Sequence, residues 1–155
     1  DRVMIDPDNP PACDGAIRAI NNAQLLLVGP GSLYTSILPN LLIPGITEAV
    51  KRSVATKIYV CNIATELGET ESYTVAGHLD GLAKHLNGNI VENVIYNNLP
   101  VPLGNRFAGE PVVHAGGQID GVKLIGEDLT DSQHPVRHDP DKLAEVIMDV
   151  YHCRR

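Results

Sequence analysis

Leu25-Leu26-Leu27-Val28-Gly29-Pro30-Gly31-Ser32-Leu33-Tyr34-Thr35-Ser36 is the stretch on which the fold turns. Four consecutive apolar residues end at a glycine. Such a run suits a central parallel strand covered on both faces, because a strand buried on two sides loses the usual alternation. The Gly-Pro-Gly-Ser that follows closes the strand. Two glycines let a backbone approach a phosphate without Cβ atoms in the way, and Ser32, Thr35 and Ser36 add hydroxyls. A helix starting near Ser32 or Leu33 would turn its free N–H groups toward an anion. The same letters also describe a tight strand-to-helix turn capped by a serine, and spacing alone does not separate the two readings. The loop is neither a P-loop nor a full GxGxxG, since no GK[ST] follows and the third glycine is missing.

Outward from this strand, extended and helical patterns alternate. Val3–Ile5 reads as a short extended segment and Ala12–Ala23 as a helix, with Ala16, Ile17, Ile20 and Ala23 at helical spacing. Pro44–Ser53 is predicted helical, with Pro44 at its first position and Ile46, Ala49 and Val50 on one face. Lys57–Cys61 is the next strand. Tyr73–Leu86 is the clearest helix, its stripe formed by Val75, Leu79, Leu82 and Leu86. Asn93–Tyr96 is a strand, and Asn97–Gly109, rich in Asn, Pro and Gly, a long loop. Short strands are expected at Val112–His114 and Val122–Ile125. The last helix is capped by Asp139, opens on Pro140, and buries Leu143, Val146, Ile147 and Val150. The alternation implies one α/β domain over residues 1–155: a three-layer, mostly parallel, Rossmann-like sheet with flanking helices. Ligands gather at the carboxyl ends of strands in such sheets, so the loops after Val28, Cys61 and Tyr96 are where a site is expected.

Bulk properties exclude several classes. With 12 basic and 19 acidic residues, the 155-residue chain carries a formal charge of −7 and no Lys/Arg run longer than two, which argues against nucleic acid as a partner. No apolar run approaches 18 residues, so no membrane span is expected. Three cysteines far apart, without a CxxC pair, read as small buried thiols in a reducing cytoplasm. His78 and His85 are seven residues apart rather than four, and no metal is assigned to them. Glu66, Glu69 and Glu71 could hold a cation, but such glutamates are more often solvated. No nucleophile-elbow sequence supports a Ser-His-Asp triad. His134-Pro135-Val136-Arg137-His138-Asp139-Pro140 puts an arginine suited to bidentate phosphate binding ahead of a helix; the alternative is a capping segment with Arg137 paired on the surface.

Four ordered motifs carry a resemblance: GPGSLYTSILPNLL (Gly29–Leu42), PGITEAV (Pro44–Val50), KIYVCNIATELGETESYT (Lys57–Thr74) and RHDPDKLAEVI (Arg137–Ile147). From about Arg2 to Ile147 the chain resembles the YvcK family, the gluconeogenesis factors. That family is similar in fold to the CofD transferases, which move a 2-phospholactyl or related group from an activated nucleotide to a deazaflavin. CofD transferases carry a GPSNP-type loop where this chain has GPGSLYTS, so the resemblance is to the YvcK branch. It implies a cytoplasmic regulator of carbon metabolism, cell-wall synthesis and cell shape that binds UDP-N-acetylglucosamine or a similar phosphorylated small molecule. The competing implication is a CofD-type transferase using Mg2+; a third is a structural fragment without a complete site. No cofactor is assigned on the first reading, no catalytic residue is named, and homo-oligomerisation stays open.

By the same resemblance, Gly29, Gly31, Ser32, Tyr34 and Thr35 match the phosphate-side loop, Asn62 and Thr65 the CNxxT motif, and Arg137 and His138 the RHDP motif. Phe107 takes the place of an aromatic that is often Tyr in the family. CNIATELGET also departs from the family pattern, which tends to carry Met and Gln. Family members open on a GGGTG nucleotide loop on their first strand; here the sequence starts Asp1-Arg2-Val3, without methionine. The expectation is therefore the second half of a longer protein, its sheet incomplete and an apolar sheet edge left open or covered by another chain.

Overall fold

A computed structural model describes residues 2–104 and 107–153. Four strands form one parallel sheet in the order β1 (Leu25–Val28), β2 (Thr56–Val60), β3 (Asn93–Asn97) and β4 (Lys123–Glu127). The helices are α1 (Asp14–Asn22) before β1, α2 (Leu38–Leu41) and α3 (Pro44–Arg52) between β1 and β2, α4 (Val75–Leu86) between β2 and β3, and α5 (Pro140–His152) after β4, with a π-helical turn at Leu33–Ile37 leading into α2.

Side chains of successive strand residues point to opposite faces, and the core divides accordingly. Tyr59 and Val94 join the cluster built by Leu33, Leu38, Val75, Leu79 and Leu82 from the π-turn, α2 and α4. Ile58, Val60 and Ile95 face the other way, toward Leu129 and α5, which contributes Leu143, Val146, Ile147 and Val150. The three-layer α/β expectation holds.

Several local expectations do not. Among the described residues β1 is an outer strand rather than the central one expected, bonded on one side by β2, with Leu27 47% exposed. Of the two inner strands, β2 is the one buried at every position. Its sequence hides this, because Lys57 interrupts the apolar pattern; the side chain is buried to 7% exposure and pairs with Glu92 at 3.3 Å. Val3–Ile5 forms no strand. It has no strand alongside, and the Val3 N–H goes instead to Nε2 of His85, 3.2 Å away. Val112–His114 is not a strand either; one antiparallel bridge, Ala64 to Pro111, replaces the expected ladder. The later strand is shifted to Lys123–Glu127. Among the cysteines only Cys61 is buried; Cys13 and Cys153 are exposed because they flank the ends of α1 and α5.

The helix signals translate directly. The Asp139 carboxylate accepts the N–H groups of Asp141 and Lys142, satisfying two of the donors that a helix start leaves free. Thr74 caps α4 through the Gly77 N–H, and Asn87 closes it in the left-handed conformation.

Within α4, His78 is fully buried, its Nδ1–H donating to the Thr74 carbonyl at 3.0 Å while Nε2 has no hydrogen-bond partner among the described residues. Burial lowers its pKa, the carbonyl bond opposing in part. The sign follows from proton counting: below the ordinary value of 6.5 the unfolded chain takes up a proton that the folded chain refuses, so this contribution to stability is complete above that pH and is lost as pH falls. His78→Leu should therefore flatten the pH dependence of the urea midpoint between pH 7.5 and 5.5, removing at most about 1.4 kcal/mol per pH unit. An unchanged slope in the variant would show that His78 titrates normally.

Candidate functional site

Because β1 and β2 are parallel, the loops that leave their carboxyl ends are neighbours. Gly29 makes the first one possible. Its φ is +83°, and a Cβ there would sit 2.9 Å from the Val60 carbonyl oxygen. The chain then turns so that the Gly31 N–H donates to Oδ1 of Asn62 at 3.2 Å. The same amide donates through Nδ2 to Glu66 at 3.1 Å, so Asn62 ties one loop to the other. The Ser32 hydroxyl is engaged with Glu69 and also accepts the Thr35 N–H at 3.2 Å. Burial, and then the nearby Glu69 charge, raise the pKa of Glu66, against a smaller opposing effect of Ser32.

A third side comes from the segment before α5. Its backbone is pinned by Asp131 N–H to the Arg137 carbonyl (3.0 Å), Arg137 N–H to His134 (2.8 Å) and Asp139 N–H to Leu129 (2.8 Å). His138 lies 3.1 Å from the Cys61 carbonyl through Nε2. A carbonyl only accepts, so Nε2 carries the proton and the neutral ring keeps Nδ1 as an acceptor. Burial holds the imidazole pKa below its usual value.

These elements enclose a cleft of about 770 Å³ whose lining includes Gly31, Asn62, Thr65, Phe107, Arg137 and His138. Six of the ten residues singled out from the sequence thus meet in one place, although Gly31 spends its N–H on Asn62. Gly29, Ser32 and Thr35 shape the turn beside the cleft and are not in its lining. Tyr34 points elsewhere: its hydroxyl is 2.7 Å from that of Tyr73 and its ring packs edge-on against His85. Burial, then the bond to Tyr73, push its pKa up to about 12.

The lining also holds residues not singled out as site residues from the sequence: Glu66 and the apolar Ile63 and Leu143 within the motifs, and Val136 just before one. Leu143 could have been suspected, since the first turn of a helix opening at a motif faces what the motif faces. Among the described residues, no group of three or more His, Cys, Asp and Glu is placed to hold a metal ion, and no helix is long and apolar enough to cross a membrane. Glu66 and Glu69 form a carboxylate pair; Mg2+ would fit there only with phosphate oxygens and water completing its shell. Arg137 belongs to none of the ion pairs among the described residues, which join Lys57 to Glu92, His134 to Asp131 and Lys142 to Asp128.

The structure is an open parallel α/β sheet with a cleft at its carboxyl edge, the place where ligands gather in sheets of this kind. Residues 1–153 match the profile of the family described as 2-phospho-L-lactate transferase CofD. The chain is 38% identical to the gluconeogenesis factor of Halalkalibacterium halodurans, over 96% of its own length and 48% of that protein. With the gluconeogenesis factor of Bacillus subtilis it shares 34% identity, over 96% and 50%. A crystal structure of a UPF0052 family member from Bacillus halodurans superposes with a TM-score of 0.82 at 35% identity, covering 92% of this chain and 48% of that one. The chain belongs to the CofD/YvcK-like family. It spans about half the length of the curated relatives it matches.

Proposed function

We propose that the protein binds a nucleotide sugar, of which UDP-N-acetylglucosamine is the representative, and acts as a regulator of carbon metabolism and cell-wall synthesis. The observation that carries this reading is Arg137, a cation without an ion pair among the described residues, in the lining of a cleft that also presents apolar walls and hydrogen-bonding side chains. Arginine suits a diphosphate, the apolar wall suits a base or sugar face, and a volume of about 770 Å³ is in the range of small-molecule sites. Asn62 and the Nδ1 acceptor of His138 suit the hydroxyl and amide groups of a sugar. The GPGSLYTS loop favours the regulator, as do relatives named gluconeogenesis factors.

A transferase is the second reading, favoured by the name of the matching family and by the Glu66–Glu69 pair, which would hold Mg2+ together with the ligand's phosphates. Calorimetry of the full-length protein against UDP-N-acetylglucosamine, GDP and a deazaflavin, with Mg2+ present, separates them. The expected result is saturable binding of the UDP-sugar, recovered intact. Nucleotide release that depends on the deazaflavin would establish the transferase, and no binding of the UDP-sugar would overturn the first reading.

A further inference from the structure

We propose that Thr65 is a positioning residue, which sets the place of Phe107 in the cleft wall through the backbone of Gly109 and Glu110. The role in binding rests on the reading above; the coupling of Thr65 to Phe107 does not. Thr65 is 5% exposed. Its Oγ1 accepts the Glu110 N–H at 2.9 Å, and its own N–H donates to the Glu110 carbonyl at 2.8 Å. One threonine therefore holds both backbone groups of one residue across 45 positions of sequence.

The approach is close enough to need a glycine next door. Gly109 has φ of +103°, and a Cβ on it would lie 2.2 Å from the Thr65 carbonyl oxygen and 3.2 Å from Thr65 Oγ1. The contact continues through the bridge of Ala64 with Pro111 and the Val112 N–H to the Ile63 carbonyl at 2.9 Å. Phe107 and Ala108 leave this staple immediately upstream and line the cleft. Two bonds at Glu110 and a bridge at Pro111 anchor the segment that presents an aromatic ring three residues before Glu110. An aromatic wall helps a planar ligand only if it is held in place before binding.

The Thr65 hydroxyl is already used as an acceptor, yet Thr65 also borders the cleft, so direct ligand contact is the rival explanation. A double-mutant cycle in the full-length protein decides between them, with UDP-N-acetylglucosamine as the probe. Thr65→Val removes the acceptor and keeps the shape; it should weaken binding roughly three- to tenfold, the scale of one hydrogen bond. In a Phe107→Ala background that loss should vanish, because the group being positioned is gone. Thr65→Ser should restore binding, and Gly109→Ala should reproduce the loss with the Thr65 hydroxyl intact. Additive losses for Thr65→Val and Phe107→Ala would overturn the proposal in favour of direct contact.

Two readouts need no ligand. Thr65→Val should speed hydrogen exchange at the Glu110 amide. It should also shift the fluorine resonance of a fluorophenylalanine at position 107, assigned by its loss in Phe107→Leu. If the wild-type protein fails to bind the UDP-sugar, the functional reading falls while these two still decide the role of Thr65. An unmoved Phe107 resonance would sink it.

Discussion

Leu33→Ala should lower the unfolding free energy by about 2–5 kcal/mol, the range for deleting a buried leucine side chain in a close-packed core. Leu33 is fully buried at the start of the π-turn, immediately after the Gly-Pro-Gly-Ser loop. Its Cδ2 fits the notch left by Gly81 on α4, where a Cβ would come within 3.0 Å of it. The residue thus locks the loop that follows β1 onto the helix between β2 and β3. Against a typical total stability of about 5–15 kcal/mol, the loss is a large share. Leu27→Ala, on the outer strand and 47% exposed, is the control and should cost under about 1 kcal/mol. Urea denaturation of both variants reads the difference; equal midpoints would mean that the wall around Leu33 collapses to fill the space.

How much of this could be read from the chain depends on whether the signal was local. The α5 start was plain in Asp139-Pro140, because capping is chemistry within four residues. The stripe of α4 was equally plain, since burial of Val75, Leu79, Leu82 and Leu86 follows from helical spacing. Strand position was not local. Leu25–Val28 looks more buried than Thr56–Val60 by composition, and the sheet order reverses that, because Lys57 finds Glu92 35 residues away. The π-turn was invisible for a related reason: Leu33–Ile37 has no composition that distinguishes it from an α-helical start.

The site divides in the same manner. Parallel strands put Gly31 beside Asn62, so their meeting followed from topology. Arrival of Arg137 and His138 at the same cleft needed the β4-to-α5 connection, which the resemblance supplied and spacing did not. Tyr34 was drawn toward the ligand by its motif, whereas its actual partner, Tyr73, is 39 residues away. Glu66 was read as solvated; the Asn62 Nδ2–H it accepts holds it in the lining instead, against the charge of nearby Glu69.

Arg137→Ala in the full-length protein should weaken UDP-N-acetylglucosamine binding by roughly one to two decades. Charge-assisted hydrogen bonds contribute about 1.5–3 kcal/mol each, and about 1.4 kcal/mol is a factor of ten. The backbone at Arg137 is held at both ends, by the His134 carbonyl and by the Asp131 N–H, so truncating the side chain leaves the segment in place. No acidic partner among the described residues is orphaned by the change. Thermal unfolding should accordingly stay near wild type. Glu66 sharpens the expectation: a carboxylate in the same lining repels a diphosphate, and Arg137 is the cation set against it. Glu66→Gln should therefore strengthen binding modestly where Arg137→Ala weakens it. Arg137→Lys should recover only part, since an ammonium keeps the charge and loses the two-pronged contact. Affinity unchanged in Arg137→Ala, with unfolding also unchanged, would return this arginine to the solvent-exposed surface and leave the cleft without its anion-binding group.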